Sequence, residues 1–222
     1  MNTIQHGPTL PPAEIDAAVR AERRRLCDYL DGLDTADWDV PSLCAAWTVR
    51  EVVAHLTTTT RETVFSVMRS AIKARGSFDR MQDDVARGLA ARYPPAELVA
   101  RLRESAESTR RMPGSGPMDP LMDVLVHGQD IARPLGRPYP MPTRLALPAL
   151  AYVAKNRLLG GPKRVAGLEL VTTDADWSTG QGPAVRGRAE ELLLAAAGRL
   201  AGLAGLTGPG LDRLAERLGD RR

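Results

Sequence analysis

The sequence predicts a mainly α-helical protein, a four-helix bundle followed by a small α+β C-terminal domain. Apolar residues recur at helical spacing in four stretches of the first 140 residues, and helix-start signals precede two of them. Strand signals are scarce there and first gather in Gly167–Thr173, GLELVTT. No internal repeat or low-complexity tract breaks this order. The expected organisation is a flexible tail over 1–12, the bundle over 13–140 and the α+β domain over 141–222.

The elements follow in order. From Glu14 to Leu33, Ile15, Val19, Leu26, Tyr29, Leu30 and Leu33 mark a first helix. A loop over Asp34–Trp47 leads to Thr48-Val49-Arg50-Glu51, a capping box in which the threonine caps and the glutamate reaches back. The second helix starts there with Val49, Val52, Val53 and Leu56 and runs past Val67 toward Gly76-Ser77. The charged stretch around Asp79–Arg87 is ambiguous by pattern. Pro94-Pro95 opens a third helix from Ala96 to Arg111, and Pro113–Pro117 is a turn by composition. Asp119 as cap and Pro120 as first helical residue start a fourth helix, which Pro134 halts.

Beyond it, Thr143–Leu159 reads as a helix with Pro148 in its early turns, closed by Gly160-Gly161. Gly167–Thr173 and Trp177–Gly180 read as two strands around a turn at Asp174-Ala175-Asp176. Gly187–Leu200 and Leu211–Leu218 are the last helices.

Composition excludes several function classes. The chain is 43% hydrophobic and 26% charged, which is ordinary for a globular protein and rules out wholesale disorder. No stretch approaches the roughly 18 consecutive apolar residues of a membrane span. The first residues, MNTIQHGPTLPPAE, lack the basic and apolar regions of a secretory signal, so the expected location is the cytoplasm. Two cysteines, Cys27 and Cys44, cannot build a disulfide framework. The net charge is only +3, the arginines alternate with acids along helices, and aromatics are few. A nucleic-acid partner is therefore not expected.

Three histidines, His6, His55 and His127, bound the chemistry. His6 lies in the tail and has no assigned role. His55 sits beside Val52, Val53 and Leu56 on the second helix. His127 lies four residues after Asp123, so the two share a helix face, and Asp130 three residues further on shares it too. A carboxylate and an imidazole one turn apart can grip a metal ion, and bundles build such sites from facing helices. If His55 points at the pair, three protein ligands leave a fourth position open, as in catalytic zinc. Each residue also has a plain structural reading. A lone inward histidine is usually a hydrogen-bonded core residue, Asp123 suits an early helical turn, and Asp130 can pair with Arg133. Cys44 reads as a small buried residue rather than a nucleophile, Gly128 as a point of close approach, and Gly180-Gln-Gly182 as a turn.

Two blocks carry a resemblance. Ser42-Leu-Cys44-Ala-Ala-Trp47-Thr-Val-Arg-Glu-Val-Val-Ala-His55 and Asp123-Val-Leu-Val-His127-Gly-Gln-Asp130 resemble the mycothiol-dependent maleylpyruvate isomerase family. Gly167-Leu-Glu-Leu through Gly180, with Gly182-Pro and Arg186-Gly, is similar to its C-terminal domain. The resemblance implies a DinB-like bundle holding a divalent metal, usually zinc, through His55, Asp123 and His127, with Asp130 behind them. Where the isomerases carry glutamate, this chain has Asp123, one methylene shorter. The isomerases also use a C-terminal arginine for substrate carboxylates, for which Arg186 and Arg188 are candidates by neighbourhood alone.

The implied function is a metal-dependent enzyme using a low-molecular-weight thiol, mycothiol by resemblance. The thiol would add to an electrophilic small molecule, giving isomerisation or S-conjugation. Bundles of this family often pair, so a homodimer is implied. The alternative from another class is a non-catalytic metal-binding or small-ligand-binding bundle acting as a regulatory or interaction module, supported by the lack of a second acid/base group near the ligands.

Overall fold

A computed structural model describes residues 8–44, 46–58, 78–108, 110–111 and 114–219. It is mainly helical and divides into two compact units, one spanning Pro12–Tyr139 and the other containing Pro140–Arg222.

The first unit is the bundle, made of α1 (Pro12–Asp31), α2 (Val49–Leu56), α3 (Phe78–Arg92), α4 (Pro95–Ala106) and α5 (Asp119–Ala132). Helix α1 packs on α4 and α5, and α2 packs on α3, α4 and α5. Leu26 and Leu30 of α1, Leu98 and Leu102 of α4, and Leu121 and Leu125 of α5 are fully buried between them. Burying each leucine stabilises the fold by roughly 1.5–3 kcal/mol relative to leaving it exposed. This interior holds the helices in register.

Several boundaries differ from expectation. The charged stretch of unclear pattern is helical and belongs to α3, whose Met81, Ala86 and Ala90 are buried. Helix α4 stops at Ala106 rather than Arg111. Its end is serine-rich: Ser105 Oγ donates to the Leu102 carbonyl, and Ser108 Oγ accepts the Arg110 amide. Serine side chains compete with the backbone for such partners and disfavour helix continuation. The expected course of α2 from residue 59 to residue 77, and the role of His6, lie outside the described residues. At the start of α5, Met118 takes the N-cap place, while the Asp119 carboxylate accepts the Gly116 amide at 2.7 Å.

The second unit contains α6 (Thr143–Val153), α7 (Gly161–Val165), strands β1 (Glu169–Thr172), β2 (Ser178–Gly180) and β3 (Ala184–Gly187), then α8 (Ala189–Ala196) and α9 (Leu211–Gly219). Helix α6 ends six residues before the expected Leu159, because the Asn156 carboxamide captures the amides of Leu158 and Leu159 in a turn. Strand β1 is central, antiparallel to β2 and parallel to β3, with Leu170 opposite both Thr179 and Val185. Strand β3 was not foreseen. The chain reaches it by passing over Gly167, and a Cβ on Gly182 would stand 2.3 Å from the Gly167 carbonyl oxygen. Among the described residues no helix is long and apolar enough to cross a membrane.

The close approach at Gly128 is made by a side chain of the same unit. A Cβ there would lie 2.6 Å from Cε1 of Tyr139, whose carbonyl accepts Gln129 Nε2 and whose ring carries the Arg25 guanidinium 3.7 Å from its centroid. Alanine favours a helix by about 1 kcal/mol over glycine, but overpacking costs about 1–3 kcal/mol. Gly128→Ala is therefore expected to lower stability in urea unfolding, and adding Tyr139→Leu should make the same alanine neutral or stabilising. A Gly128→Ala single variant more stable than the parent would contradict this packing.

Candidate metal centre

Helix α2 begins as its sequence requires. Thr48 is the N-cap, and Glu51 Oε2 accepts the Thr48 amide at 2.7 Å, completing the capping box. Val49, Val52 and Val53 are fully buried, which turns His55 inward, 8% exposed. On α5 the four-residue spacing puts Asp123 and His127 on one face. The structure brings the three side chains together, with ligand atoms all within 4.8 Å of one another.

Asp123 Oδ1 stands 3.4 Å from His55 Nε2 and 3.4 Å from His127 Nε2. Both separations exceed the usual ~2.7–3.2 Å of a hydrogen bond. A tetrahedral zinc ion with bonds of about 2.0–2.1 Å separates neighbouring ligand atoms by about 3.3–3.4 Å. The donor spacing is that of a coordination edge.

The opposite side of the His127 ring is engaged by Asp130. His127 Nδ1 lies 2.8 Å from Asp130 Oδ2, and Asp130 is fully buried. A neutral imidazole donating from Nδ1 to this carboxylate leaves the Nε2 lone pair facing Asp123. Two lone-pair donors facing a carboxylate call for a cation between them or a proton on the ring. The buried Nδ1 of His55 has no hydrogen-bond partner.

The electrostatics say the same. Burial alone would raise the Asp123 carboxyl, but His55 and His127 outweigh it and hold it well below the usual carboxylate range. Burial alone would lower His127, but the carboxylates of Asp123 and Asp130 outweigh it and push it up to about 9.

Trp47 covers the histidines, with ring centroids 5.2 Å from His55 and 6.4 Å from His127. Its indole nitrogen donates to Asp83 Oδ1 at 2.9 Å. Arg87 donates to the same oxygen at 2.7 Å and to the Ala46 carbonyl at 2.7 Å. Ala46 has φ +67°, an uncommon backbone state for a residue with a side chain. The loop is further fixed by Ser42, whose amide donates to the Trp47 carbonyl, and by Leu43, whose amide donates to the Asp130 carbonyl. Sequence reasoning missed Asp83, Arg87 and the covering role of Trp47. The only local signal was the four-residue Asp83–Arg87 spacing.

Arg186 and Arg188, the substrate-binding candidates, lie in the second unit and are not part of this cluster. Arg186 is exposed on β3, and Arg188 is exposed with its guanidinium 3.8 Å from the Asp174 carboxylate.

The fold and the cluster define a helical-bundle protein with a metal-ligand-type His–Asp–His centre, joined to a small α+β unit. Residues 19–120 match the family described as mycothiol maleylpyruvate isomerase N-terminal domain, a stretch that includes His55 and stops just short of Asp123. The likeness to that family lies within the bundle unit. Among solved structures, the mycothiol-dependent maleylpyruvate isomerase and a histidine-to-alanine mutant of it share the fold. Each has a TM-score of 0.60 and 18% identity, over 94% of this chain and 96% of theirs. No curated protein matches the sequence.

A pH dependence follows from the raised His127. In protein kept free of divalent cations, the folded value of about 9 exceeds the ordinary 6.5. A raised histidine contributes stability that is fully present below the unfolded value and lost as pH rises through the folded one. Urea unfolding of cation-free protein should therefore show stability falling between about pH 6.5 and 9, with the His127 ring titrating near the upper value by NMR. A His127 ring that titrates at or below 6.5 would contradict this account of the cluster.

Proposed function

We propose that the bundle holds one divalent metal ion, zinc by its donor chemistry, through His55 Nε2, Asp123 Oδ1 and His127 Nε2, and that the protein is an enzyme using a low-molecular-weight thiol. The single observation that carries this reading is the pair of 3.4 Å separations around Asp123 Oδ1. Imidazole and carboxylate donors suit zinc and its neighbours, and three protein ligands leave a position for an exogenous group. A bound cation of this kind supplies the charge that keeps a coordinated thiol deprotonated at neutral pH.

The chain's own residues do the rest. Asp130 holds the Nδ1 proton of His127, fixing the tautomer and raising the basicity of Nε2. Trp47 walls the histidines with an apolar face, limiting water, and Asp83 and Arg87 hold that wall in place. The solved neighbours are named for mycothiol and maleylpyruvate, which supports mycothiol as the thiol. A small electrophile is the partner substrate, attacked by the thiolate sulfur. Loss of the thiol after bond rotation gives isomerisation, and its retention gives an S-conjugate.

His127→Ala removes one donor, so metal occupancy should collapse at micromolar metal. Asp130→Asn should retain metal with affinity about 10–100-fold weaker. The parent protein should lose melting temperature on chelation, because a ligand bound only by the folded state stabilises it, and His127→Ala should be indifferent to chelator. Full metal occupancy in a chelator-sensitive His127→Ala protein would overturn the ligand assignment. Metal-loaded protein that binds no thiol would leave a binding module rather than a thiol-using enzyme.

A further inference from the structure

The His127 ring stands between two donor sets. Its Nε2 side meets His55 and Asp123. Its other nitrogen meets Asp130, and ligand atoms of Cys44, His127 and Asp130 also lie within 4.8 Å of one another. Asp130 reaches the ring at Nδ1, 2.8 Å away, so Nδ1 is the nitrogen of this second set.

Cys44 is half-buried. Its amide donates to Ser42 Oγ at 3.1 Å, and its carbonyl accepts the Trp47 amide at 3.1 Å. The neighbouring Leu43 amide donates to the backbone oxygen of Asp130 at 3.1 Å, so the loop carrying the thiol is tied to the helix carrying the other two donors. The second cysteine, Cys27, is fully buried beneath α4, its sulfur 3.9 Å from the Val99 carbonyl.

We propose that Cys44 Sγ, His127 Nδ1 and one Asp130 oxygen form a second cation site, selective for thiophilic dications of the zinc and cadmium class. A thiolate donor favours soft cations, whereas the nitrogen and oxygen donors of the first set accept harder ones. Coordination releases the thiol proton to solvent, moves the ring proton from Nδ1 to Nε2 when the first set is empty, and forms one metal–sulfur, one metal–nitrogen and one metal–oxygen bond. Asp130 thereby exchanges its hydrogen bond for a metal bond. With both sets filled, the ring proton also leaves to solvent and His127 bridges them as imidazolate. The site does not depend on occupancy of the first set, since Cys44 and Asp130 belong to the second alone.

The test is cobalt(II) titration of the full chain, followed by thiolate-to-cobalt charge-transfer absorption. The parent should show the band, Cys44→Ser should lose it together with about one equivalent of bound metal, and Cys27→Ser should keep it. His55→Ala, which removes a donor of the first set only, should also keep it. In the unmutated protein, cadmium should protect Cys44 from alkylation, read by mass spectrometry, which does not depend on any variant folding. Absence of the band in the parent, its persistence in Cys44→Ser, its loss in Cys27→Ser, or equal alkylation of Cys44 with and without cadmium would overturn the proposal. Loss of the band in His55→Ala would also overturn it, because the two sets would then not be separable.

Discussion

The hydrogen bond between His127 Nδ1 and the buried carboxylate of Asp130 organises the centre. A carboxylate with no solvent exposure is costly unless a donor meets it, and the imidazole meets it at 2.8 Å. The bond sets the rotation of the ring and directs Nε2 at Asp123 and His55. Through its backbone oxygen the same aspartate accepts Leu43, anchoring the loop that carries Cys44 and Trp47. One residue thus couples tautomer, donor geometry and the wall over the histidines. Breaking the bond would take a charge-assisted donor from a buried carboxylate, which typically costs more than an exposed pair is worth.

Much of the bundle was legible because its signals are local. Periodic valines and leucines mark α1 and α2, and Thr48 with Glu51 forms the capping box those two residue types suggest. Asp123, His127 and Asp130 share a helix face by spacing alone. Their meeting with His55 depends on packing between α2 and α5, which spacing suggests but does not determine. Other features were opaque for physical reasons. Helix α3 is dense in charge, so its small buried face of Met81, Ala86 and Ala90 gives a weak period. Strand β3 is only Ala184–Gly187 and draws its partner from β1, fifteen residues earlier at Leu170 and Val185. Cys44 comes near His127, and Asp83 meets Trp47, through long-range packing that the Asp83–Arg87 spacing does not reveal.

The family match and the cluster bear on different questions. The match ends before Asp123 and His127, so the convergence of these residues with His55 is an observation of the structure in its own right. The second unit shares the neighbours' fold at 18% identity, a level that speaks to architecture. Its exposed arginines have local employment: Arg188 faces Asp174, which also accepts Thr143 Oγ1 and the Ala189 amide. That arrangement starts α8 and ties it to α6 within the same unit. The inward set of His55 and His127 brings both nitrogens to a common Asp123 carboxylate oxygen.

The most direct measurement of the central claim is X-ray absorption on protein purified without added metal and without a histidine tag, with metal content determined on the same sample. The account predicts at least one divalent ion per chain, with nitrogen and oxygen scatterers at about 2.0–2.2 Å and a two-ring imidazole signature that is lost in His55→Ala. Protein that is folded and metal-free as isolated, and that takes up no divalent ion on reconstitution, would contradict it. In that case the cluster would be a proton-sharing core of two histidines and two aspartates.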